Sequence, residues 1–311
     1  MMWILWVILT LLLIKLFNKL STGRCYVLPY MTGNVVIVTG ANSGIGYETA
    51  LRLARRGARV ILACRDEKKG RAAAQRISRT VKHAKVRYEF LDLSSLNSIR
   101  EFVDNFKKTE AKLDVLINNA GASGMGLKKT QDGIIRDMQV NHFGPFLLTL
   151  LLVPLLKKSA PSRVVIVSSV LHKFGTIDNI NEEGKYGYLQ TYCNSKLCNV
   201  LFSNELARRL EGTGVCVNSL HPGHVNTTLF RSTIYEKLRC LILYTLFKTP
   251  EEGAQTAIYL AASGECSGVT GGYFVDCAAA KMSRKAEDPV LASELWSLSE
   301  KLVGLKAEEV V

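Results

Sequence analysis

From Asn34 to Val275 the chain alternates short apolar runs with longer stretches of helical spacing. Strands are expected at Asn34–Thr39, Arg59–Ala63, Val86–Leu91, Leu113–Ile117, Arg163–Ser168, Val215–Leu220 and Gly272–Val275. Helices are expected at Ile45–Arg56, Asp66–Arg79, Leu96–Lys107, Gln131–Leu156 and Leu189–Leu210. Strands joined through helices run parallel, and a parallel sheet must be covered on both faces. The pattern therefore predicts one doubly wound α/β domain, residues 33–281, around a seven-stranded parallel sheet. The 311 residues suffice for one such domain, and no internal repeat or low-complexity block interrupts it. Residues 282–311 read as an exposed tail with one weakly amphipathic helix around Leu291–Leu305.

The N-terminus has a different composition. Met1 to Ile14 carry no charge, Lys15, Lys19 and Arg24 follow, and no acidic residue precedes Glu48. Fourteen residues make roughly 21 Å of helix against a hydrocarbon core of about 30 Å. Extension to Phe17, with Lys15 snorkelling, narrows the gap. A cleaved signal peptide fits less well, because no basic residue leads the apolar run and no A-x-A site follows it. Residues 1–20 are thus expected to be an uncleaved membrane anchor and 21–32 a linker. The trailing positive charge predicts a cytosol-facing domain.

The formal net charge is +13, which suits an anionic membrane surface or a polyanionic cofactor. No zinc-finger spacing or long basic block points to nucleic acid. The eight cysteines contain no C-x-x-C pair, so no metal site is expected from them and they read as mostly reduced thiols. His142, His172, His221 and His224 are expected to be structural or substrate-lining.

Gly40, Asn42, Ser43, Gly44, Ile45 and Gly46 form the turn after the first strand. Glycines there let the backbone turn sharply and approach a pyrophosphate, which the open N–H groups of the next helix can receive. Cofactor choice is read at the end of the second strand, where an acid binds a ribose 2′-hydroxyl and repels a 2′-phosphate. Here the sequence is Ala63-Cys64-Arg65-Asp66, with Arg65 able to grip a phosphate, so NADP(H) is expected over NAD(H). Asp66 would reverse that choice if it were the residue facing the ribose.

Tyr192 and Lys196 stand four apart on a predicted helix and so share a face. A neighbouring ammonium is expected to lower the phenol pKa, making Tyr192 a general acid for carbonyl reduction or a base for alcohol oxidation. Ser168 and Ser169 end the fifth strand on opposite faces.

The glycine loop, in its G-x-x-x-G-x-G spacing, the Ser-Ser pair and the Tyr-x-x-x-Lys pair occur here in the order that resembles the short-chain dehydrogenase/reductase family. The resemblance implies a Rossmann-type fold in which Ser169 contacts the substrate oxygen and Lys196 also holds the nicotinamide ribose. It further implies that Asn141 supports a proton relay and Asp92 contacts the adenine. Asn118, Ala120 and Gly121, in Asn118-Asn119-Ala120-Gly121, would line the cofactor cleft. Pro222, Val225 and Thr227 would meet the nicotinamide end.

Several stretches, among them Val140–Thr149, Tyr192–Leu206 and Phe247–Ala254, are similar to retinol dehydrogenases 11 to 14. That subgroup implies a microsomal, NADPH-dependent enzyme acting on retinaldehyde or other lipophilic aldehydes. Leu229–Phe247 would then be a lipophilic lid, a surface helix dipping into the bilayer, or simply core. The same chemistry on a sterol, fatty aldehyde or prenol, and a non-catalytic nucleotide-binding scaffold, are the competing readings. No feature demands self-association, which the resemblance leaves open.

Overall fold

A computed structural model describes residues 29–225 and 247–309, residues 22–25, and scattered positions between 3 and 19. The expected contact of Thr227, and nearly all of the Leu229–Phe247 segment, lie outside the described residues.

The strands are β1 Val35–Thr39, β2 Arg59–Cys64, β3 Lys85–Phe90, β4 Val115–Asn118, β5 Ser162–Val167, β6 Val215–His221, β7 Tyr273–Val275 and β8 Ala278–Ala279. They form one sheet in the order β3-β2-β1-β4-β5-β6-β7-β8. The first seven pair in parallel, and β8 returns antiparallel to β7. Among the described residues, the expected seven-stranded parallel sheet is therefore an eight-stranded mixed one. The extra strand hangs on a two-residue turn, Asp276-Cys277, with φ of 52° and 60°. That backbone suits a tight hairpin, but neither residue is the glycine that usually announces one.

Both faces of the sheet are covered. On β1, Val35 and Ile37 join one core cluster and Val36 and Val38 the other, as the period-two pleat dictates. The Val36 face carries α1 (Gly44–Arg55), α2 (Glu67–Thr80) and α6 (Pro250–Ala262). The Val35 face carries α3 (Leu96–Thr109), α4 (Gly144–Lys158), α5 (Tyr188–Arg209) and α7 (Pro289–Val303). Edge strand β3 displays Lys85, Arg87 and Glu89, which discourage pairing with another chain.

Two further expectations need correction. The helix expected from Gln131 begins at Arg136, passes through a π turn at Gln139–Phe143 and continues as α4. Before it, Lys129 and Ile135 pair across a turn whose Gly133 has φ 75°, which is incompatible with a continuing helix. The stretch Arg136–Lys158 is long and apolar enough to cross a membrane, yet 89% of its most apolar window is buried inside the protein.

The C-terminal helix is not part of an exposed tail. Ala292, Leu295, Trp296, Ser299 and Val303, spaced at three and four, are buried. Trp296 is 2% exposed and packs against Phe146 and Phe202, with the Arg209 guanidinium 4.1 Å from its ring centroid. At the other end of the chain, the described positions from Trp3 to Lys19 are helical, and Trp3, Trp6, Leu9, Leu13 and Leu16 are exposed.

Trp296→Ala is expected to lower the unfolding free energy by about 3–5 kcal/mol, as for other buried aromatics. Urea denaturation of the two proteins measures it; a change within about 0.5 kcal/mol would return the helix to a loose surface role.

Candidate active site

The carboxyl ends of β1, β2, β4, β5 and β6 open into a cavity of about 510 Å³. Gly40, Asn42, Ser43, Gly44, Ile45 and Gly46 line one end, with Arg65 and Asp92. Ala120 and Gly121 line its middle, and Ser169, Tyr192, Lys196, Pro222 and Val225 the other end. The structure thus gathers nearly all the sequence-predicted residues. Asn118 and Asn141 do not line the cavity; they lie behind its wall. Asn118 donates from Nδ2 to Thr149 Oγ1 at 2.7 Å and acts within the floor.

The glycine turn is a cradle that side chains would fill. Gly40 has φ 65°, and a Cβ there would lie 2.9 Å from Ala120 Cα. A Cβ on Gly46 would lie 2.4 Å from Asn119 Nδ2. Ser43 caps α1 without using its side chain, and no acid occupies the first turn. The helix start can therefore receive a pyrophosphate, so the cradle fits a dinucleotide.

Thr39, which the sequence reading did not single out, stitches this turn to β4. Its Oγ1 donates to Ile117 O at 3.3 Å and accepts from Asn119 N at 3.0 Å and Ala120 N at 2.9 Å. Asn119 Nδ2 returns a bond to Thr39 O at 2.8 Å.

At the end of β2, Cys64 is buried and its thiol is pushed up to about 11 by burial. A neutral group thus holds the place where an acid would sit. Asp66 is otherwise engaged. It caps α2 by accepting from Lys69 N at 2.9 Å, and it pairs with Lys69 Nζ at 3.0 Å. The backbone bond from Lys69 heads the causes that hold its carboxyl below the ordinary range. Lys69 also lines the cavity, a second cation beside Arg65 that was missed in sequence because it lies one turn into the helix. Asp92 Oδ1 accepts from Ser94 N at 2.9 Å and Ser94 Oγ at 2.6 Å, which orients its carboxylate.

At the other end, Tyr192 and Lys196 lie on one face of α5, the Lys196 Nζ 5.4 Å from the phenol ring centroid. Tyr192 is hydrogen-bonded to the Ser169 side chain. Ser169 Oγ accepts from Leu171 N at 3.2 Å, whereas Ser168 Oγ donates to Lys196 O at 2.7 Å. The second serine is therefore the one that faces the phenol.

The expected electrostatics are reversed. Burial pushes Tyr192 up to about 12 and Lys196 down to about 8. The ammonium donates to Val167 O at 3.1 Å. Desolvation is the leading cause for both groups, because the charged form of each loses its water.

Asn141, at the centre of the π turn, accepts from Ala122 N at 2.7 Å through Oδ1. Its Nδ2 donates to Ala122 O at 2.8 Å and Ser195 Oγ at 3.1 Å. A Cβ on Gly121 would sit 3.4 Å from Lys196 Nζ and 3.7 Å from Asn141 Oδ1, so a bare backbone at Gly121 leaves room between them. His221, His224 and Phe247 also line this end, while His142 and His172 are buried elsewhere. Among the described residues, no group of His, Cys, Asp or Glu could hold a metal.

Residues 34–237 match the model of the short chain dehydrogenase family. Retinol dehydrogenase 14 of Homo sapiens is 48% identical over 294 residues, 88% of each chain. Retinol dehydrogenase 11 of Homo sapiens is 45% identical, covering 93% of this chain and 91% of its own. Among solved structures, the RhlG/NADP active-site complex of Pseudomonas aeruginosa matches with a TM-score of 0.63 and 28% identity, over 80% of this chain and 97% of its own. The chain belongs to the short-chain dehydrogenase family, as an oxidoreductase similar to the retinol dehydrogenases.

Proposed function

We propose that this protein is a membrane-anchored, NADPH-dependent enzyme that interconverts retinaldehyde and retinol, or related lipophilic aldehydes and alcohols. The observation that carries the reading is the layout of one cleft. Arg65 and Lys69 stand at the end beyond the glycine cradle, and the Ser169–Tyr192–Lys196 group at the other. The names of the relatives support the retinoid class, and the NADP complex of the structural neighbour supports the cofactor.

When bound, NADPH supplies the hydride that adds to the carbonyl carbon. Tyr192, neutral at physiological pH, donates its proton to the developing alkoxide. Ser169 hydrogen-bonds the same oxygen and stabilises its charge. Lys196, whose ammonium donates to Val167 O, would hold the cofactor ribose and would offset charge on the phenolate that Tyr192 leaves behind. Asn141 holds the Ala122 turn, keeping that wall of the cleft in place.

At the N-terminus, the exposed Trp3, Trp6, Leu9, Leu13 and Leu16 support a membrane anchor. With Lys15 and Lys19 on its C-terminal side, the catalytic domain would face the cytosol at the endoplasmic reticulum.

Detergent-solubilised protein incubated with all-trans-retinaldehyde is expected to form retinol with NADPH in preference to NADH. Arg65→Ala should raise KM for NADPH by about ten- to a hundredfold, the worth of a charged hydrogen bond, and leave NADH nearly unaffected. Equal efficiency with both cofactors would refute the phosphate role. Tyr192→Phe should reduce turnover to background while NADPH still quenches protein fluorescence; a rate within a few-fold of wild type would remove Tyr192 as the acid. Because Lys196 titrates near 8, its ammonium is present below that pH and is lost above it. Accordingly kcat/KM for NADPH should decline as pH rises through about 8, and a profile flat to about pH 10 would contradict the assignment.

A further inference from the structure

His172 follows Ser169 by three positions and is fully buried. Its Nδ1 lies 2.7 Å from Ser169 O and its Nε2 3.1 Å from Ser283 N. A carbonyl can only accept and an amide N–H can only donate. The ring must therefore carry its proton on Nδ1 and a bare lone pair on Nε2. Charging it would set two donors against each other at Ser283. A second tie reaches the same turn, from Lys285 Nζ to Gly175 O at 3.1 Å.

His142 makes a similar connection from the π turn. It follows Asn141 and is fully buried against Phe143, Phe146 and Phe202. Its Nε2 lies 3.0 Å from Ser299 Oγ. That hydroxyl already donates to Leu295 O at 2.7 Å, so it accepts from Nε2–H. Burial keeps both rings neutral, pushing His142 down to about 3 and lowering His172.

We propose that the C-terminal segment from Met282 to Val303 is a positioning element of the active site, acting through His172 on Ser169 and through His142 on Asn141. The inference rests on the reading that Ser169 and Asn141 serve carbonyl reduction. Neither histidine touches the reacting atoms. Each fixes the backbone of the turn that carries a site residue, and the C-terminal segment supplies the far partner. Rigid support of this kind affects rate because a misplacement of about 1 Å can cost a hundredfold.

The test uses the full chain. His172→Gln puts its amide at the Nε2 position, where its oxygen can accept from Ser283 N, and leaves no donor at the Nδ1 position. The shorter His172→Asn puts its NH2 at the Nδ1 position, where it can donate to Ser169 O, and leaves no acceptor for Ser283 N. Ser299→Ala removes a single oxygen from the second link, and serves if the His172 variants fold poorly. Each variant is expected to lower kcat about tenfold to a hundredfold, with KM for NADPH within about twofold. In parallel, NMR hydrogen exchange is read at Leu171 N, which bonds Ser169 Oγ, and at Ala122 N, which bonds Asn141 Oδ1. Faster exchange at Leu171 in the His172 variants, and at Ala122 in Ser299→Ala, is expected. Unchanged exchange, or unchanged kcat in an active protein, would overturn the inference. If wild type reduces no aldehyde, the functional reading fails, while the exchange data still decide whether the segment positions the two turns.

Discussion

A parallel sheet sends every crossover back across its faces, so its carboxyl ends collect along one edge. Here that edge is defined by Thr39, Cys64, Asn118, Val167 and His221. Residues more than a hundred positions apart reach one cavity for that reason alone. The edge still needs bracing, since several strands end there together. Thr39 and Asn119 brace β1 against β4 through four hydrogen bonds. The same bonds bring the glycine turn close to Ala120, where only a missing side chain fits.

The junction between β5 and α5 is reciprocal. Lys196 Nζ donates to Val167 O, and Ser168 Oγ donates to Lys196 O. Asn199 Nδ2 adds a bond to Val167 O at 3.3 Å. The helix bearing the phenol is thus held in register with the strand bearing Ser169. Burial supplies the site's electrostatic character. It favours a neutral phenol and leaves the ammonium easy to discharge. A charged Tyr–Lys pair standing alone would be costly in this environment.

The second layer of support comes from the end of the chain. α7 closes one side of the core with Trp296, and the segment before it reaches the Ser169 turn through His172. Stability and site geometry therefore share one element. On the opposite side of the sheet, the β2 end is shaped by the buried Cys64 and the Asp66–Lys69 pair.

Much of this was legible in the sequence, because it depends on local pattern. Alternating apolar runs determined the doubly wound sheet. Glycine spacing determined the cradle, and the four-residue interval put Tyr192 and Lys196 on one helix face. Other features depend on contacts between distant segments. The direction of the Tyr192 pKa followed from burial, which a count of neighbouring charges does not contain. The capping role of Asp66, the cavity-lining Lys69 and the antiparallel β8 needed backbone geometry. The packing of Trp296 needed a partner face on α5, and a weakly amphipathic helix does not name its partner. Sequence by itself determined which elements form and which chemistry-bearing residues they carry. Tertiary structure decided which of those residues lose water and which turns are held still, because desolvation and packing belong to the assembled chain and not to any one segment.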